Sequence, residues 1–213
     1  MKAIDRHDGL VAVLNRNDVD TDAILPKQFM KSVSRSGYGP HVFDEWRYTD
    51  SGVLGMDCTL RPVNTSFELN QRQYLGASVL LTRRNFGCGS SREHAVWGLL
   101  EYGFSVVIGE SFADIFRSNC VNNGLLTIQL SMRQIEDLIV AVNANPGYRL
   151  SVRLGEQYVE MPGGNRLAFD VPLPDKQRLM AGLDTIGNTL QQRDKISAFE
   201  QRQKTRFPWL YSD

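Results

Sequence analysis

Apolar and polar positions alternate with a clear rhythm in the middle of the chain. Ala77-Ser-Val-Leu-Leu-Thr82 is short and apolar and predicts a buried strand. Glu93 to Tyr102 places Ala95, Val96, Leu99 and Leu100 on one helical face. Phe104 to Ile108 predicts a second strand. Ser111 is the expected cap of a helix over Phe112 to Cys120, with Asn122-Asn-Gly124 as its stop. Leu125 to Leu130 predicts a third strand. Ser131 caps an amphipathic helix with Ile135, Leu138, Ile139 and Val142 inward, ending at Pro146-Gly147. Strands alternating with helices from 77 to 145 predict a parallel sheet with crossovers, an α/β fold.

The flanks read differently. Gly9 to Asn15 predicts a strand with Val11, Val13 and Leu14 inward. Lys27 to Val33 predicts a short helical turn, and Ser34 to Pro40 a glycine-broken loop. Phe43, Trp46 and Tyr48 are expected to pack beneath that loop, and Ser51 to Leu75 is irregular. Tyr148 to Leu154, Gln157 to Met161 and Leu167 to Val171 predict a β-rich segment turning at Gly163-Gly-Asn165. Residues 174 to 203 predict helix in two pieces, broken near Gly187-Asn188. The apolar tail, Phe207-Pro-Trp-Leu-Tyr211, is expected to dock on the body or on a partner. With no repeat or low-complexity linker, residues 1–213 read as one domain carrying a C-terminal helical extension from about 174.

Composition narrows the function. Hydrophobic residues are 42% of the 213, enough for a core. Lys plus Arg and Asp plus Glu both number 24, which gives no support to general nucleic-acid or membrane-surface binding. No apolar run nears the roughly 20 residues of a membrane span. The N-terminal stretch is charged and lacks a signal-peptide core, so the expected location is cytoplasmic. Cys58, Cys88 and Cys120 form no CxxC pair, and His7, His41 and His94 are scattered. No metal site is expected within this chain.

The densest polar chemistry is Asn85-Phe-Gly-Cys-Gly-Ser-Ser-Arg-Glu-His94, between the 77–82 strand and its helix. Gly87 and Gly89 permit backbone conformations closed to other residues. A helix start offers unpaired N–H groups and partial positive charge, and Ser90, Ser91 and Arg92 add hydroxyls and a guanidinium. A carboxylate or phosphate suits such a site. Three readings follow: a glycine turn with a capped helix and no chemistry; a serine hydrolase, with Ser91 and His94 on one helical face; or a polycarboxylate site that moves a proton, with a serine alkoxide as base. The hydrolase elbow Gly-x-Ser-x-Gly fits in no register. The third reading demands strong positive charge, which a metal from another chain would supply. The loop Asn17-Asp-Val-Asp-Thr-Asp22 reads as a solvated turn or as a source of one active-site acid. It lacks the glycine and distal glutamate of a calcium-binding EF-hand. Arg35 is either solvated or closes over an anion.

Four segments carry a family resemblance: NFGCGSSREHA (85–95), DVDTDAILPKQF (18–29), SRSGYGPHVFDEWRY (34–48) and SFADIFRSNCVNNGLL (111–126). Together they resemble small subunits of bacterial 3-isopropylmalate dehydratases, in the aconitase superfamily. The resemblance implies a swivelling β/β/α domain and a hydro-lyase of leucine biosynthesis that isomerises 2-isopropylmalate to 3-isopropylmalate by dehydration and rehydration. It implies a large-subunit partner carrying a [4Fe-4S] cluster, with none bound by this chain. It implies Ser90 as catalytic base, with Ser91, Arg92 and Arg35 gripping substrate carboxylate. Asp22 would line the site, and Gly87 and Gly89 would let the backbone approach substrate. Arg83-Arg84 and the tail from Gln201 depart from the family's usual pattern. They leave open a paralogue for citraconate/2-methylmalate or dimethylmaleate.

Overall fold

Four strands lie side by side in the order β4-β3-β2-β1, all parallel, and the paired positions Val11–Val13, Val79–Leu81, Val106–Gly109 and Leu126–Ile128 are buried: β1 (Arg6–Val13), β2 (Val79–Leu81), β3 (Val106–Gly109) and β4 (Leu126–Gln129). Near-continuous burial is what a parallel sheet with covered faces requires. The computed structural model describes residues 1–31 and 34–211.

Between β1 and β2 run two short helices, α1 (Thr21–Ile24) and α2 (Asp44–Arg47), with several 3-10 turns. One of these turns is Lys27–Lys31, and the expected helical turn out to Val33 extends beyond the described residues. Phe43 is fully buried and stacks on Trp46, as expected of aromatics under a loop. After β2 come α3 (His94–Tyr102), α4 (Asp114–Asn123) and α5 (Met132–Ala144). A capping box joins Ser131 and Gln134 at the start of α5, and Ile135, Leu138, Ile139 and Val142 are buried. Gly124 ends α4 with φ +84°, a left-handed cap open to glycine at little cost.

Two element boundaries differ from expectation. Ser111 does not cap α4, which starts after Ala113. Its Oγ instead accepts the Asn85 amide at 2.8 Å, tying the site turn to β3's exit. The C-terminal helix breaks at Gly182 and again near Gln191, giving α6 (Leu173–Ala181), α7 (Thr185–Leu190) and α8 (Arg193–Arg206). Gly187 lies inside α7 because Asp184 caps that helix, accepting the Gly187 amide at 2.7 Å.

The β-rich segment does not form a separate sheet. β5 (Arg149–Arg153), β6 (Tyr158–Glu160) and β7 (Arg166–Ala168) extend the first one antiparallel, starting from β1's free edge. Among the described residues, seven strands and the helices between them up to Leu179 share one core around β1. No helix is long and apolar enough to cross a membrane among the described residues.

Candidate active site

Two loops leave the carboxyl ends of adjacent parallel strands, the usual place for a ligand in such sheets. Residues 14–22 follow β1, and residues 82–93 follow β2. They are tied together along their length. The Asp18 amide donates to Arg84 O at 3.0 Å, the Gly87 amide to Val19 O at 2.7 Å, and the Thr21 amide to Cys88 O at 2.9 Å. Asn85 Nδ2 adds a bond to Asp18 Oδ1 at 2.8 Å. Asp20 then starts α1, accepting the Ala23 amide at 2.6 Å. The acid-rich turn is thus bound to the serine turn and aims Asp22 at it.

Thr21 is buried, and its hydroxyl clamps Ser90 from both sides. It donates to Ser90 O and accepts from the Ser90 amide, each at 3.1 Å. Ser90 and Ser91 are exposed, and the Arg92 side chain keeps 23% of its surface. The Arg92 guanidinium forms an ion pair with Asp22, which also meets Lys27 Nζ at 3.5 Å. Ser90, Arg92 and Asp22 therefore share one open face.

Gly87 and Gly89 both have positive φ, +77° and +88°. They differ in surroundings. Gly87 is buried, and an added Cβ would overlap the Phe116 ring. Its freedom serves close packing on α4. A Cβ at Gly89, which is exposed, would meet Asp20 Cβ at 3.4 Å, an ordinary contact. Cys88, between them, is half-buried, and burial pushes its thiol pKa up.

Arg35 stands apart from this group. It is exposed, with its guanidinium 5.5 Å from the centre of the Trp97 ring on α3. The loop around it packs along α3, with Tyr38 edge-on to His94 at 5.5 Å and tilted against Trp97 at 6.0 Å. The His94 ring is thereby taken into aromatic packing, and Ser91 lies before the helix begins, not on its face. The Ser91–His94 pair of the hydrolase reading is not assembled.

Arg83 and Arg84 are engaged within the chain. Arg83 bonds Asn15 Oδ1 at 2.5 Å and pairs with Glu110 at 3.4 Å and Glu136 at 2.5 Å. Arg84 pairs with Asp18 at 3.1 Å. Among the described residues no three His, Cys, Asp or Glu side chains come together as a metal site. The cysteines are dispersed and free, and Cys120 is buried. Such a donor set does not fit an iron–sulfur cluster.

The fold and the paired loops define a class, the aconitase C-terminal domain, whose family model matches residues 1–133. A second model, for the C-terminal domain of the 3-isopropylmalate dehydratase small subunit, matches residues 185–213. A Neisseria gonorrhoeae protein named 3-isopropylmalate dehydratase small subunit is 55% identical over 212 residues, covering 100% of both chains. A Dechloromonas aromatica protein of the same name is 55% identical over 207 residues, 97% of this chain and 98% of its own. A crystal structure of a Methanocaldococcus jannaschii 3-isopropylmalate dehydratase superposes with a TM-score of 0.63 over 92% of this chain and 99% of that one, at 23% identity. This chain belongs to the 3-isopropylmalate dehydratase small-subunit family.

Sequence reasoning missed Thr21 and the face of α3 formed by His94, Trp97 and Glu101. Thr21 is hidden by the acids beside it, since a hydroxyl in a turn reads as local backbone bonding. The α3 face has a legible signal, because positions 94, 97 and 101 fall on one side of a helix.

Proposed function

We propose that this chain is the small subunit of a cytoplasmic hydro-lyase that isomerises 2-isopropylmalate to 3-isopropylmalate in leucine biosynthesis. Residues 1–213 would act as one swivelling unit that closes over a large subunit. Full-length identity of 55% to small subunits of that name carries the reading. The chemistry of the open face agrees with it.

In the proposed reaction Ser90, as alkoxide, takes a proton from the substrate carbon next to the one bearing the hydroxyl. The C–O bond breaks with its electron pair, the hydroxyl leaves as hydroxide, and an alkene diacid forms. Hydroxide then adds at the carbon that lost the proton, and Ser90 returns that proton to the carbon that lost the hydroxyl, which regenerates the alkoxide. Serine is a weak base, so this step needs positive charge and fixed geometry. Thr21 fixes the Ser90 backbone. Arg92 offers a planar fork to one substrate carboxylate, in competition with Asp22, and Ser91 adds a hydroxyl. Arg35 would grip the other carboxylate as its loop meets the substrate. Lewis-acid help for the departing hydroxyl would come from a [4Fe-4S] cluster on the partner. Gly89 lets the exposed turn lie close to the ligand, while Gly87 supports that turn from beneath.

The test is co-expression with a cluster-bearing large subunit, following the ultraviolet absorbance of the conjugated alkene. Ser90→Ala should lower kcat by about 10²–10⁴ and move KM far less. Full turnover by the isolated chain would overturn the division of labour, as would unchanged kcat in Ser90→Ala.

A further inference from the structure

The loop carrying Arg35 is held by a single carboxylate. Three successive backbone amides, Gly37, Tyr38 and Gly39, converge on Glu101 at the end of α3. Gly37 N lies 3.0 Å from both oxygens, Tyr38 N 2.6 Å from Oε2 and Gly39 N 2.9 Å from Oε2. Consecutive amides turned to one side make an anion-binding concavity, and hydrogen bonds to a charged acceptor are the stronger kind. The backbone supports this shape. Gly37 has φ +97°, and a Cβ on Gly39 would stand 2.9 Å from Glu101 backbone carbon.

The same loop is closed on itself and seated on the same helix. Tyr38 OH donates to Ser34 O at 2.8 Å, bracketing Arg35 within a five-residue ring. The Tyr38 ring is buried against His94 and Trp97. Trp97 is itself fixed, because its Nε1 donates to Asn123 Oδ1 at 2.9 Å, and Asn123 Nδ2 donates to Glu93 Oε1 at 2.7 Å. Arg35 rests over that ring. One rigid helix therefore has the Ser90–Arg92 turn at its start and the loop's anchor at its end. The rise from His94 to Glu101 is roughly 10 Å, which fixes where the loop stands relative to Ser90.

We propose that Glu101 is a positioning residue for substrate recognition: it latches the 34–39 loop to α3 and so sets the reach of Arg35 and the space left for the substrate's alkyl group. The inference rests on the proposed function, in which Arg35 meets a carboxylate. It assigns no chemistry to Glu101, which does not touch the reacting atoms.

Two measurements test it. The first needs no activity: amide hydrogen exchange in the isolated full chain. Gly37, Tyr38 and Gly39 should be protected, and Glu101→Ala should remove that protection while the amides of β1 to β4 keep theirs. The second is kinetics of the complex with a large subunit. Glu101→Ala should raise KM for 2-isopropylmalate about tenfold with kcat within about twofold, because ground-state binding is what the latch serves. The preference for 2-isopropylmalate over 2-methylmalate should shrink, and Glu101→Gln, which keeps one acceptor oxygen, should fall between. Equal exchange at the three amides in both proteins overturns the latch. Lost protection with unchanged KM and unchanged preference overturns the positioning role and leaves the proposed function standing. A wild-type complex unable to turn over 2-isopropylmalate sinks the proposed function instead, while the exchange result still decides whether Glu101 holds the loop.

Discussion

Thr21 spends both directions of its hydroxyl on one residue, Ser90. Thr21→Val keeps the shape and removes both bonds. The expected result is a kcat lowered about tenfold with KM little changed, because the proposed base loses its fixed position while carboxylate binding survives. The stability cost should be about 1–3 kcal/mol, since two hydrogen bonds of a part-buried clamp are lost. Arg92→Lys tests the neighbouring contact. Lysine is a point charge without the planar fork, so kcat/KM should fall although net charge is kept. The two glycines separate at this scale. Gly87→Ala forces a Cβ into the Phe116 ring at φ +77°, and should destabilise the chain by about 2–5 kcal/mol in a denaturant titration. Gly89→Ala, with only ordinary contacts, bears the backbone strain alone. Their equal appearance in the sequence could not reveal this, because the difference lies in Phe116, far along the chain.

At the scale of elements, Ser51 to Leu75 reads as irregular, yet its first part is tied back to α2 by a buried ion pair. Arg61 grips Asp44 with both terminal nitrogens, bonds Asp50 Oδ1 through Nε at 3.1 Å, and lies 3.8 Å from the centre of the Tyr48 ring. Arg61→Ala would leave Asp44 buried and uncompensated, at a cost of about 3–5 kcal/mol seen in the unfolding midpoint. His41, stacked on Phe29 at 4.0 Å, titrates beside this pair. Burial pushes its pKa below the ordinary 6.5, with the Arg61 and Arg47 charges adding to the effect and Asp44 opposing it. Asp44, 4.0 Å from His41 Nδ1, opposes the shift, but burial outweighs it and the direction stays downward. A histidine kept neutral in the fold binds fewer protons than in the unfolded chain. Its share of stability is therefore complete above 6.5 and is lost as pH falls through the lowered value. His41→Gln should flatten that part of a plot of thermal midpoint against pH, even if its midpoint is lower throughout. Elements with a regular apolar period were legible: β1 to β4, α3 and α5. This segment was not, because its order comes from side chains 11 and 17 residues apart in sequence, which no periodicity records.

Across the whole molecule, the parallel strands and their helices could be read from alternation, but the antiparallel extension could not be placed. Pairing of β5 with β1 spans more than 140 residues, as between Asp8 and Ser151, and local pattern is silent on such contacts. The C-terminal extension shows the opposite limit. Its apolar residues carry the expectation of docking on the body or on a partner; within this chain α8 buries no residue, and Trp209 and Leu210 keep 67% and 66% of their surface. Within the tail, Phe207 is edge-on to Trp209 at 5.5 Å. The preceding helices are attached. Leu179 of α6 is buried, Ile4 N donates to Leu179 O at 3.0 Å, and Arg178 reaches Asn122 Oδ1 at 2.6 Å. Among the described residues, α6 is thus the last helix with a side chain in the core, and α7, which buries none, is tied to α4 by Thr185 Oγ1 donating to Asn122 Oδ1 at 3.4 Å. A chain ending at Gln192 should keep its thermal midpoint within about 2 °C of the full chain, because removing unburied residues changes stability by no more than about 0.5 kcal/mol. A chain ending at Gly182, which loses the Thr185 contact to Asn122 as well, should melt lower than the one ending at Gln192. Equal loss in both truncations would mean that α8 contributes to the folded body through contacts this arrangement does not contain.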